Sequence, residues 1–429
     1  MRLTHIITSL DTGGAEIMLV KLAAQLRGRY EQQVISLLPS GPIAPKLEAL
    51  GVPVTSLELD ARRPNPLAVA TLVRCLRQSR AEVVQTWMYH ADLLGGAAAW
   101  FAGRHVTWGV RNGTPPARAF GVPVIWGLHH GTPLAGPARG VPAAGAAGVG
   151  QAYDCLSPRT ALVVRTCARL SPWLPKRIVC CSQSAAERHV ALGYDARKLV
   201  VIPNGFDVQR FCPDTARRAD VRDELGLARN TPLVGLIARF HEQKDLPTFF
   251  KAVATLHEQR PDVHFLVAGR GLDDGNQALA RMRRDSGVGD VVHLLGERSD
   301  VPRLMAGLDL ATLTSRDEAF PNVLGEAMAC GVPCVATDVG DCRLILGDTG
   351  KVLPTCDAGG IADAWLQLLS LGDEAKAALN VAARERVTTR FAIDVVADRY
   401  AAVYAEVAAA AGASSPRWSA LGTGSPSSR

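Results

Sequence analysis

The feature that most restricts the fold is an alternation that runs through the chain twice. Stretches that read as buried strands alternate with stretches whose apolar residues recur at helical spacing. "LTHIITSL" precedes the helical "AEIMLVKLAAQL"; "QQVISLL" and "AEVVQTW" are further strands, and "LAVATLVRCLRQS" is another helix. Strands alternating with helices require a parallel sheet covered on both faces. "LVVIPNGFDVQRF", Leu199 to Phe211, then reads as a linker with Pro-Asn-Gly turn chemistry. The series restarts with the strand "TPLVGLIA" and the helix "LPTFFKAVATLHEQR", which Asp245 is placed to cap. "VHFLVAG", "VVHLLG", "LDLATLT" and "VPCVAT" follow as strands. The expected fold class is α/β, with two Rossmann-like doubly wound halves, residues 1–200 and 201–390. The helical pattern of 391–412 is expected to cross back to the first half. The Ser-, Gly- and Pro-rich 413–429 has the composition of a disordered tail.

The 429 residues suffice for two or three domains. No apolar run approaches the ~18 residues of a membrane span, and "MRLTHIITSLDTGGAE" turns polar too early for a secretory signal. The ten cysteines are scattered, with Cys180 and Cys181 adjacent and no C-x-x-C pair, which predicts a reducing, cytoplasmic setting. Charge is uneven. Residues 1–200 carry 22 Lys and Arg against 11 Asp and Glu, and the rest carry 25 against 30. The basic half could face anionic phosphates or, peripherally, the inner face of an anionic membrane, or could be a solvated basic surface. No nucleic-acid partner is expected.

"GRHVTWGVRNGTP" (Gly103 to Pro115) is echoed by "GVPVIWGLHHGTP" (Gly121 to Pro133), and a Gly-, Ala- and Pro-rich stretch follows. Two copies are too few for a solenoid. The 103–152 region reads as a local duplication with a loop insertion.

The segment "SRDEAFPNVLGEAMACGVP" concentrates the chemistry. Pro321 suits the first turn of a helix, so a helix is expected from about Asn322, ending near Gly331. Its free N–H groups form an anion site. Glu326 lies a turn inside and Glu318 just before it, each able to reach a hydroxyl. An anion flanked by hydroxyls describes a sugar nucleotide, although an acidic loop and one ordinary helical Glu would leave the same trace. "ARFHEQKD" puts Arg239 and Lys244 after a strand and before a helix, at the carboxyl edge where such sheets bind ligands. Two cations there could neutralise a diphosphate, or could be solvated loop charges. Gly13 and Gly14 lie between the first strand and first helix, where glycine admits a close approach, but the full G-x-G-x-x-G is absent. His90 follows the strand "AEVVQTW". No His or Cys ligand spacing is present, so no structural metal is expected.

Together these elements resemble glycosyltransferase family 4, the retaining enzymes of GT-B fold. The resemblance rests on "GGAE" (Gly13 to Glu16), "TWMYHADLLGG" around His90, "VIPNGFD" (Val201 to Asp207), "ARFHEQKD" and "EAFPNVLGEAMACGVPCVATDVGD", in the family's order. It implies two domains facing across a cleft. It further implies that Arg239 and Lys244 bind the donor diphosphate, Glu326 the ribose and Glu318 the donor sugar. Backbone N–H groups from Phe320, Pro321, Asn322 and Val323 would complete the cradle (Pro321 itself lacks one). Gly13 and Gly14 would approach the phosphates and His90 would face the sugar. His90, Arg239, Lys244 and Glu318 are then the catalytic candidates. Glu16, Arg111, Asn112, His129 and His130 are those of the acceptor side. The implied reaction is hexosyl transfer with retention from a UDP- or GDP-sugar to a saccharide or polyprenyl-diphosphate-linked acceptor, without metal or cofactor. Ala238 and Ala319 depart from the family, which often has Gly there, and the doubled Trp-Gly segment departs more seriously. Two other readings stay open: a sugar-nucleotide-binding protein inactivated by the 103–152 region, and a sugar-nucleotide epimerase.

Overall fold

The computed structural model describes residues 1–59, 67–110 and 158–412. In chain order the first sheet and its helices are β1 (Arg2–Ile7), α1 (Gly14–Gln25), β2 (Glu31–Ser36), α2 (Ala44–Ala49), β3 (Val54–Ser56), α3 (Ala68–Gln78) and β4 (Val83–Trp87). Then come α4 (Tyr89–Phe101), β5 (His105–Val110), α5 (Pro158–Leu170), β6 (Arg177–Cys180), α6 (Gln183–Ala191) and β7 (Leu199–Val201). The second series begins with α7 (Thr215–Glu224), β8 (Leu233–Ile237), α8 (Leu246–Gln259), β9 (His264–Ala268), α9 (Gln277–Asp285), β10 (Val292–Leu294), α10 (Val301–Gly307) and β11 (Leu310–Leu313). It ends with α11 (Asn322–Ala329), β12 (Cys334–Thr337), α12 (Cys342–Leu346), β13 (Gly350–Leu353), α13 (Ala358–Leu369), α14 (Asp373–Arg390) and α15 (Ile393–Gly412).

Among the described residues every strand pair is parallel. The orders are β3-β2-β1-β4-β5-β6-β7 and β10-β9-β8-β11-β12-β13. Chain order reverses between β1 and β4 in one sheet and between β8 and β11 in the other. At such a switch point the loops leaving the two strands diverge to opposite faces and open a crevice at the carboxyl edge. The fold therefore places a switch point in each sheet, and the segments that carry Gly13, His90, Lys244 and Glu318 leave these four strands. β4 and β11 are buried along their whole length, as strands covered on both faces must be.

Three local expectations are corrected. Leu199–Val201 is not linker but the edge strand β7, paired with β6; three residues are too few to show a period. Pro321 is the residue that caps α11 rather than one inside its first turn; its backbone is extended (ψ 103°). Asp245 does precede α8, but in a left-handed conformation (φ 46°) and without capping through its side chain. Its carboxylate instead accepts from the Thr248 hydroxyl (2.7 Å), Arg316 (2.8 Å) and the Cys356 thiol (3.3 Å).

Helix α15 packs on the first sheet. Ile393, Val396, Tyr400, Tyr404 and Val407 share a core with Leu3, Met18, Leu22 and Trp87, and the Trp87 and Tyr400 rings stack at 6.3 Å. The chain thus crosses between sheets twice, at 202–206 and at 391–393. The crossings are bonded to each other: Phe206 N–H donates to Phe391 O (2.8 Å) and Ile393 N–H to Phe206 O (2.9 Å). Phe206 is fully buried and stacks on Phe320 at 6.1 Å. A Cβ on Gly325 would overlap the Phe206 ring. Gly325→Ala should therefore force the ring aside and cost about 1–3 kcal/mol, read as a lower urea midpoint, whereas a surface Gly372→Ala, which meets nothing within 4 Å, should not.

Candidate active site

On the first domain's side, the loop after β1 leads to Gly13, which caps α1, and to Gly14, its first residue. A Cβ built on Gly14 would lie 4.0 Å from Asn322 Nδ2. Asn322 is the first residue of α11 in the other domain. The N-terminal ends of two helices from different domains therefore meet across the cleft. Each presents the first N–H groups of a helix, which have no acceptor within that helix, and a positive dipole end, an arrangement that suits an anion between them. Asn204, on the crossing segment, donates to Asn322 Oδ1 at 2.8 Å and fixes that side chain.

The second domain supplies the flanks. Lys244 ends the one-turn 3-10 segment 242–244 after β8 and donates to Glu318 Oε1. Their side chains are only 16% and 14% exposed. The Ser315 hydroxyl donates to the same oxygen at 2.8 Å, so Oε1 takes both bonds. The 242–244 turn and the 315–318 loop are stitched together: Arg316 N–H donates to Gln243 O (2.8 Å), the Gln243 amide to Asp317 O, and the Thr314 hydroxyl to Lys244 O (2.7 Å). Arg239, just beyond β8, is exposed and within electrostatic reach of Glu318. Ala319 keeps a negative φ, the ordinary backbone its residue type predicts. Glu326 lies one turn into α11, half-buried. Burial raises its carboxyl above the usual range, against the pull of Lys21 and Arg210. Lys21 comes from α1 and donates to Gly205 O at 3.2 Å, so the first domain reaches towards Glu326 as well.

His90 lies in the first turn of α4 and is buried; burial lowers its pKa to about 4, which keeps the imidazole neutral near pH 7. The preceding Met88 caps α4 with φ 73°, a left-handed strain that non-glycine residues rarely accept. Glu16 is buried. Its carboxylate folds back onto Gly13 and accepts from Ser9 (3.3 Å), next to the start of its own helix. Arg111, Asn112, His129 and His130 lie outside the described residues, as does most of the duplicated region. The opening of the first copy is described: it forms β5, with Trp108 fully buried in the core.

One contact across the cleft escaped sequence reasoning. Asp341, from the second domain, accepts from the backbone N–H groups of Gln183 (2.8 Å) and Ser184 (3.1 Å), the first two residues of α6 in the first domain. Asp341 closes the last motif of the family resemblance, but nothing in "TDVGDC" points to a partner in the other domain.

Two doubly wound parallel-sheet domains, with their switch points facing across a cleft, define a GT-B fold. The structure superposes on that of Anabaena Alr3699/HepE in complex with UDP at a TM-score of 0.74, with 22% identity over 95% of this chain and 100% of that one. Residues 12–210 match the family described as Glycosyltransferase Family 4, and residues 231–371 the one described as Glycosyl transferases group 1. The chain thus carries a Glycosyltransferase Family 4 domain followed by a Glycosyl transferases group 1 domain. It is 31% identical over 189 residues to the N-acetyl-alpha-D-glucosaminyl L-malate synthase of Bacillus anthracis, covering 44% of this chain and 49% of that one. It is 32% identical over 212 residues to the lipopolysaccharide core biosynthesis mannosyltransferase LpsB of Rhizobium meliloti, covering 48% and 60%. The chain thus spans about half the length of the curated relatives it matches.

Proposed function

We propose that the protein is a retaining hexosyltransferase that takes its sugar from UDP- or GDP-hexose, needs no metal, and passes it to a saccharide or lipid-linked saccharide in surface glycan synthesis. The observation that carries this reading is the meeting of the α1 and α11 N-termini at Gly14 and Asn322. The diphosphate would lie between them, with Arg239 and Lys244 beside it, Glu326 reaching the ribose hydroxyls and Glu318 those of the hexose. Two relatives support the substrate class: a UDP-Gal-dependent galactosyltransferase of Escherichia coli acting on a diphosphoundecaprenol-linked sugar, and LpsB.

The chemistry follows from the charges. The bond between the sugar's anomeric carbon and the diphosphate oxygen breaks, and the electron pair leaves with the diphosphate. The acceptor oxygen bonds to the same face of that carbon, and its proton passes to the departing phosphate oxygen. Negative charge grows on the diphosphate as the bond lengthens, where two helix ends and two cations are already oriented. A phosphate at Lys244 draws off its ammonium and leaves Glu318 to accept from sugar hydroxyls. His90, neutral, can donate a hydrogen bond towards the sugar without adding charge.

The test is diphosphate release from a panel of UDP- and GDP-hexoses in EDTA, with and without a polyprenyl-saccharide fraction. Acceptor-dependent release from one donor is expected. Thermal stabilisation by a donor without release would instead mark a binding protein, and interconversion of donors an epimerase.

The acceptor reading extends to a surface. Helices α3, α4 and α5 layer on one side of the first sheet and share one core. Their only carboxylate, Asp92, is buried. Outward they show Arg74 and Arg77, with Leu162, Phe101, Trp100 (64% exposed) and Trp173 just beyond α5 (74% exposed). Exposed aromatics among arginines suit an anionic lipid interface. Among the described residues no helix is long and apolar enough to cross a membrane, so the contact would be peripheral. Replacing Arg74 and Arg77 by Glu should lower affinity for anionic liposomes, read by pelleting, by about thirtyfold or more, at roughly 1 kcal/mol for each arginine lost near the surface. Undiminished pelleting of that variant, or none by the wild type, would leave a soluble acceptor.

A further inference from the structure

The carboxylate of Asp341 makes an unusual contact. A helix leaves its first N–H groups without partners, and they are ordinarily met by its own capping residue or by water. In α6 the cap, Ser182, takes the third, Ala185 N–H, at 3.0 Å. The first two are taken from the other domain, one by each oxygen of Asp341. Asp341 is 4% exposed, so the bonds are shielded from water and strengthened by charge.

The contact is also tied to the proposed sugar site. Asp341 N–H donates to Ala319 O at 3.0 Å, next to Glu318. The preceding Gly340 has φ 52°, and a Cβ there would strike the carbonyl oxygens of Glu318 and Ala319; only glycine allows that approach. From the other side, α6 grips the same loop: the Ser184 hydroxyl donates to Ala319 O (3.4 Å) and Arg188 pairs with Asp317 (2.6 Å). Residues 317–319 are therefore held between Gly340-Asp341 and the first turns of α6, with Lys244 and Gln243 beneath.

We infer that Asp341 is a positioning residue, which clasps the first domain's α6 onto the 317–319 segment and thereby sets Glu318 for the hexose while the cleft is closed. It touches neither donor nor acceptor. The inference rests on the hexosyltransferase reading for its effect on turnover, but not for the clasp itself.

Two variants test it, Asp341→Ala and Asp341→Asn, the second keeping the shape but able to accept only one of the two amides. Hydrogen exchange at the Gln183 and Ser184 amides should rise by about 10- to 100-fold in Asp341→Ala, the loss expected for hydrogen bonds to a charged group, and less in Asp341→Asn. Nucleoside diphosphate affinity should stay within about twofold, since Arg239, Lys244 and Glu326 are untouched, while kcat for transfer falls by a similar 10- to 100-fold and the share of donor lost to water rises. Unchanged exchange at 183–184 in Asp341→Ala would overturn the clasp. Faster exchange with full kcat would overturn the positioning role. A wild type inactive with every donor would sink the transferase reading alone, and the clasp would still stand or fall on the exchange.

Discussion

Lys244→Ala will lower kcat/KM for transfer by about 10²- to 10³-fold, the loss typical when one oriented group that stabilises transition-state charge is removed. The ammonium is held in a largely buried pair with Glu318, so its position is set before any ligand arrives. Removing it also leaves Glu318 hydrogen-bonded to Ser315 and balanced by the more distant Arg239 alone, in a partly desolvated site. The comparison that separates roles is Glu318→Gln. A nucleoside diphosphate has no hexose, so its affinity should fall in Lys244→Ala and hold in Glu318→Gln, while both lose turnover. Equal diphosphate affinity in wild type and Lys244→Ala, measured by calorimetry, would remove Lys244 from the phosphate site. In the double variant the losses should not add, because the two side chains act as one unit.

Gly14→Val will abolish measurable donor binding, with at least a 10²-fold rise in Kd, whereas Gly14→Ala will change it by less than about tenfold. The argument is distance. A Cβ at this position reaches ordinary contact with Asn322 at 4.0 Å; the valine Cγ atoms extend about 1.5 Å further and fill the gap between the two helix ends. Neither change should unfold the protein, since Gly14 has no positive φ to defend and is the first residue of a helix. Wild-type Kd in a folded Gly14→Val protein would mean that the anion does not lie between α1 and α11.

Much of this was legible in advance because it depends on neighbours along the chain. Strand and helix periods are local, and so the two α/β series could be read directly. The start of α11 at Asn322 follows from Pro321, the last polar turn and the helical run after it. The nearness of Arg239 and Lys244 to Glu318 follows once β8 and β11 are adjacent strands, since their carboxyl-end loops must then share an edge. The short β7 was missed because three residues carry no period, and Asp245 was misjudged because its carboxylate serves Arg316, some seventy residues away, and the Thr248 hydroxyl rather than a backbone N–H of its helix.

What the sequence by itself determined is therefore the class of fold and the identity of groups near each strand end, since both follow from residue spacing and from the geometry of parallel sheets. What only the tertiary structure decided is which ends face each other. Gly14 meets Asn322, and Asp341 meets the start of α6, because α15 returns to the first sheet and the crossings at Phe206 and Phe391–Ile393 bond together. Those contacts join residues far apart in the chain through two domain cores, and no local pattern of side chains encodes the angle at which two packed bodies come to rest.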